Sequence, residues 1–169
     1  MKTASFQAVT NALNEAEVRY IVVGELAVIA HGYLRSTRNA DIVLELIPEN
    51  IQAAFAALNK IGFNPTLPIT SEQFSNPELR RQWQKEKNMQ VLQFWADTYP
   101  DLKLDVFIEH PFDFELEWQN SMEIHLGTKE SEIRIASIPA LISMKRVAGR
   151  PKDLVDIEYL EKIQNELKP

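Results

Sequence analysis

Asp41 and Asp105 carry the clearest chemical signal in this sequence. Each lies in a short stretch whose residues alternate in character. Ala40, Ile42 and Leu44 share one side of the first stretch, and Asp41, Val43 and Glu45 share the other. In the second, Leu102, Leu104, Val106 and Ile108 alternate with Lys103, Asp105, Phe107 and Glu109. Both aspartates therefore point away from the main apolar row of their strand. Two carboxylates on adjacent strands repel each other unless a cation or a proton lies between them. Magnesium answers that need, because it takes oxygen ligands and retains waters for the phosphates of a nucleotide. The competing reading is a pair of solvated acids at strand ends, and the pattern alone does not choose between the two.

Around this pair stand residues suited to phosphate. Gly24 ends the apolar run Tyr20-Ile21-Val22-Val23 and would let the backbone approach an anion closely, with the next helix start facing it. Glu25 opposes that role, since its carboxylate repels a triphosphate at a helix start. Arg35 and Arg38 offset the charge and could hold phosphate, or they are solvated loop arginines. The run Lys145-Arg146-Val147-Ala148-Gly149-Arg150-Pro151-Lys152-Asp153 places cations at the end of one helix. Asp153 and Asp156 fall in the first turn of the next, an arrangement that helix dipoles favour without any ligand. Lys145 or Lys152 could in addition reach the cleft.

These residues need strands and helices to hold them. Tyr20–Val23 predicts a short buried strand, and residues 26–30 a helix that stops near Gly32. A covering helix precedes them over 4–17, with Phe6, Val9, Leu13 and Ala16 at helical spacing. A further helix begins at Pro48 and buries Ile51, Phe55, Leu58 and Ile61. Residues 63–78 hold three prolines and many polar groups, and predict a loop that partly covers the cleft. A charged helix over 79–88 leads to strands over 89–95 and 102–109, joined through Thr98-Tyr99-Pro100-Asp101. Phe112, Phe114, Leu116 and Trp118 predict a turn and a short packed segment, and strands follow over 122–126 and 132–136. Ser137 caps a helix that Gly149 closes, and Pro151 opens a last helix with Leu154, Ile157, Leu160 and Ile163 buried. The order of helices and strands is that of an α/β (α+β) domain with a small mixed sheet flanked by helices, one domain over 1–169.

Composition narrows the partners. A net charge of −6 argues against general DNA binding, while leaving room for one nucleotide or an RNA end in a local basic cleft. The absence of cysteine excludes disulfides and thiolate metal sites. No apolar run approaches membrane-spanning length and the first residues lack the apolar core of a signal peptide, which predicts a cytoplasmic protein without membrane contact.

Gly24-Glu25, then thirteen intervening residues, then Asn39-Ala40-Asp41-Ile42, resembles the nucleotidyltransferase superfamily typified by DNA polymerase β. Ala27, His31-Gly32, Arg35 and Thr37 are similar to its small bacterial branch, which holds minimal and antibiotic nucleotidyltransferases and abortive-infection toxins. The segment from Lys145 to Asp153 resembles a motif near the end of that branch. The resemblance implies the nucleotidyltransferase fold and metal-dependent transfer of a nucleoside monophosphate from an NTP. The acceptor would be a small molecule, a protein or an RNA end. It implies Asp41, Asp105 and Asn39 as catalytic and metal-holding residues for Mg2+ or Mn2+, with Leu104-Asp105-Val106 matching the third carboxylate strand. Gly24, Glu25, Arg35, Thr37 and Lys145 fall at nucleotide- and phosphate-binding positions. Two residues depart from the pattern: Glu25 stands where Gly or Ser is usual, and Asn39 where the first Asp is usual. A degenerate site therefore stands beside full activity, as do an inactive nucleotide- or protein-binding member and one component of a toxin–antitoxin pair with a protein partner. His31 reads as a packed or hydrogen-bonded histidine, because magnesium prefers oxygen.

Overall fold

The computed structural model describes residues 1–127 and 131–168. Among them are eight helices and a seven-stranded mixed sheet. The elements are α1 (Thr3–Glu15), β1 (Tyr20–Val23), α2 (Gly24–Ala30), β2 (Asn39–Leu44), α3 (Pro48–Lys60), β3 (Asn64–Pro65), α4 (Ser71–Ser75) and α5 (Pro77–Lys87). There follow β4 (Val91–Trp95), β5 (Lys103–Phe107), α6 (Phe114–Asn120), β6 (Met122–His125), β7 (Glu132–Ile135), α7 (Ile138–Ala148) and α8 (Pro151–Glu166).

The strands run in the order β3-β4-β5-β2-β1-β7-β6. β2 lies at the centre, antiparallel to β1 and parallel to β5. Antiparallel β4 and the two-residue β3 extend the sheet beyond β5, and β6 pairs antiparallel with β7 at the other side. Ala40, Ile42, Leu104 and Val106 are fully buried, as the alternation predicts. Burial of such a side chain contributes roughly 2 kcal/mol, so a one-residue slip of either strand is strongly disfavoured. α1 and α3 pack against each other, with Val9, Leu13, Ile51, Ala54 and Leu58 in the core.

Three local readings change. Residues 63–78 are not a cover for the cleft. Phe63 and Phe74 are fully buried, and Thr70 and Gln73 form a reciprocal capping box at the start of α4. Asn76 then caps α5 ahead of Pro77. Cap chemistry and two aromatic anchors outweigh the prolines there. The second change lies in α2, which starts at Gly24 itself, two residues before the predicted start. The third concerns α8: Leu154 is 58% exposed, whereas Asp153 and Asp156 are buried at 0% and 1%. Both aspartates pair with cations: Asp153 with Lys145 and Arg150, Asp156 with Lys145 and Arg35.

Candidate active site

Register brings the two aspartates together. Asp41 and Asp105 are paired positions on the parallel strands β2 and β5, 64 residues apart in the chain. Paired positions share a face, so both carboxylates enter the same cleft of about 930 Å³. One wall comes from the turn at Gly24 and from α7 and α8; the other comes from the end of α5 and from Gln90, Phe107 and Glu109. Asn39, two residues before Asp41 on the same face, is exposed at the mouth.

Asp41 sits directly against the Gly24 turn. Gly24 has φ +69°, and a Cβ there would fall 2.3 Å from Asp41 Oδ2. The space that the missing side chain leaves is thus taken by a carboxylate of the protein itself. Burial, then the charges of Asp105 and Glu25, push the Asp41 carboxyl up to about 7, against the opposing pull of Lys145 and Arg150. Burial also raises Asp105, against a hydrogen bond from Gln93 and the charge of Lys103. Gln93 lies opposite Asp105 on β4 and donates from Nε2 to Asp105 Oδ1 at 3.2 Å. Sequence reasoning missed Gln93, whose only signal was its alternate position on the strand beside Asp105.

The donor set fits a hard divalent cation. Two desolvated, mutually repelling carboxylates are the groups whose charge a cation would relieve. Among the described residues no group of three His, Cys, Asp or Glu stands close enough to hold a metal. Asn39 adds an uncharged amide at the mouth of the same cleft, and waters could complete the coordination of such a cation.

The cations of the predicted phosphate set are present but engaged. Arg35 donates from Nη1 to Asp156 Oδ1 at 2.5 Å and from Nη2 to Glu25 Oε1 at 3.0 Å. Lys152 Nζ reaches the same Glu25 oxygen at 3.2 Å. Lys145 lines the cleft, yet its ammonium lies 2.7 Å from Asp156 Oδ2 and 3.5 Å from Asp153 Oδ1. Asp153 takes Arg150 Nε at 2.8 Å, and the arginine's hydrogen bonds hold its carboxyl below the usual range in spite of burial. Asp153 and Asp156 are therefore buried counterions of these cations. Thr37 accepts from the Asn39 N–H at 3.1 Å and sets the start of β2. Arg38 is exposed. His31 Nε2 donates to the Ala136 carbonyl at 2.8 Å, the hydrogen-bonded role its surroundings predict.

No protein-family model matches the chain, and no curated protein matches it in sequence. Solved structures do match. One is the lincosamide antibiotic adenylyltransferase LnuA with lincomycin bound, at TM-score 0.59 and 17% identity over 96% of this chain and 98% of that one. Another is ANT(2")-Ia in complex with adenylyl-2"-tobramycin, at TM-score 0.57 and 13% identity over 96% and 92%. At these identities the likeness is one of fold, and the fold is that of the nucleotidyltransferases.

Proposed function

We propose that residues 1–169 form one nucleotidyltransferase domain. It moves a nucleoside monophosphate from an NTP to an acceptor hydroxyl, in the cytoplasm and with Mg2+ or Mn2+. The observation that carries this reading is the in-register Asp41–Asp105 pair, desolvated and open to one cleft. The acceptor oxygen attacks the α-phosphorus, the bond to the β-phosphate oxygen breaks, and pyrophosphate leaves. Asp105 Oδ2 accepts the hydroxyl proton, while Oδ1 stays fixed by Gln93. The raised affinity of Asp105 for a proton suits it to that task. Asp41, Asp105 and the Asn39 amide oxygen would hold the cation, which neutralises phosphate charge when bound. Gly24, Arg35, Thr37 and Lys145 frame the nucleotide end. The likeness in fold to proteins whose structures hold lincomycin and adenylyl-tobramycin supports a small hydroxyl-bearing acceptor.

Asn39 retains an oxygen but no charge, and replacing a charge-assisted contact by a neutral one weakens it by on the order of 1–2 kcal/mol. Transfer is therefore slow in the natural sequence. The neutral Asn39 and the fully engaged cations also favour a second reading, a nucleotide-binding protein without catalysis. Calorimetry with each NTP and magnesium, followed by pyrophosphate release, separates the two. Wild type should bind and release slowly. Asn39→Asp should bind magnesium about tenfold more tightly and release faster, and Asp41→Ala should lose both. Absence of binding to every NTP removes both readings.

A further inference from the structure

At the edge of the cleft two cations already hold an anion, and that anion belongs to the protein. Glu25 Oε1 lies between Arg35 Nη2 at 3.0 Å and Lys152 Nζ at 3.2 Å. Arg35 is braced at its other end by the buried Asp156, so its second nitrogen is aimed at a fixed point. Glu25 and Lys152 open onto the cleft that contains Asp41 and Asp105. Burial works against the charge on Glu25, but the hydrogen bond from Lys152 and the nearby charges of Arg35 and Lys152 help to outweigh it and hold the carboxyl below its usual range. It is thus an anion in an anion's place.

We propose that Arg35 and Lys152 form a seat for the outer phosphates of the donor, and that Glu25 fills this seat in the free protein as an internal surrogate. The proposal rests on the nucleotide-transfer reading. A carboxylate and a phosphate oxygen make the same charge-assisted hydrogen bonds to a guanidinium and an ammonium, so the two compete for one set of donors. The donor must displace Glu25, and that displacement raises the nucleotide concentration at which the protein fills. Glu25 is then the residue that sets donor affinity.

Inorganic tripolyphosphate, with neither base nor metal, is the probe. Titrated by calorimetry at low salt, it should bind Glu25→Gln about tenfold more tightly than wild type. Glu25→Ser provides a second variant, and thermal unfolding confirms that both are folded. The gain should vanish in Glu25→Gln combined with Lys152→Met. Glu109→Gln, which removes another acid of the same cleft, should give a clearly smaller gain. Equal affinity in wild type and Glu25→Gln overturns the proposal. So does a gain that survives the loss of Lys152, or an equal gain in Glu109→Gln. Tight tripolyphosphate binding by the variant, with no NTP bound by either protein, would leave the seat standing and remove the transfer reading instead.

Discussion

Replacing Asp41 by asparagine should make the metal-free protein more stable. The ordinary carboxyl value is 3.8 and the folded one is about 7, so the folded protein favours the protonated form. A group whose folded value lies above its unfolded one carries no penalty below pH 4. The penalty grows as pH rises through the window from about 4 to 7 and is constant above it. At roughly 1.4 kcal/mol per unit, three units amount to about 4 kcal/mol at pH 8. Among the described residues the Asp41 side chain makes no hydrogen bond, so asparagine breaks none. For a chain of this size, 4 kcal/mol is a rise of roughly 8–16 °C in Tm. Thermal unfolding of both proteins in chelator at pH 4.5, 6 and 8 reads it. The gap should be small at pH 4.5 and widest at pH 8, and millimolar magnesium should narrow it by stabilising wild type alone. A gap that is absent at pH 8, or that does not change with pH, refutes the view of Asp41 as a desolvated acid whose charge Lys145 and Arg150 only partly offset.

Gly24→Ala puts a methyl 2.3 Å from Asp41 Oδ2 at a backbone φ of +69°. It should cost about 1–3 kcal/mol in urea unfolding and abolish stabilisation by magnesium. Lys145→Met leaves Asp153 and Asp156 buried with one cation fewer, although Arg150 and Arg35 remain on them. The expected loss is about 3 kcal/mol at pH 7, the low end for breaking a buried pair. The loss should shrink in acid as Asp153, held below its usual range in the folded protein, takes up a proton.

The strands and the two aspartates were legible because alternation fixes which residues share a face, and Asp41 and Asp105 both fall on the face opposite the main apolar row. Their pairing across 64 residues followed from the resemblance, since local periodicity says nothing of which strands are neighbours. Gln93 was invisible because a neutral amide at an alternate position reads as an ordinary surface residue. Asp153 and Asp156 are accounted for locally by the helix start, so nothing nearby signals their burial. Lys145, on the preceding helix, pairs with both, and Asp156 also takes Arg35, 121 residues away along the chain. The segment over 63–78 did contain its own correction. Thr70 with Gln73, and Asn76 before Pro77, are cap signals that outweigh three prolines once Phe63 and Phe74 find the core.

The outermost strand on the β4 side, Asn64–Pro65, also bears on association between molecules. It offers two residues of open edge, and proline contributes no N–H to a passing strand. At the far edge, β6 alternates half-buried Met122 and Ile124 with exposed Glu123 and His125. Neither margin presents a long, flat, apolar ribbon. Growth of the sheet from one molecule into the next is thereby discouraged at both ends. Concentrated solutions of the folded protein should resist fibril formation without help from a covering partner.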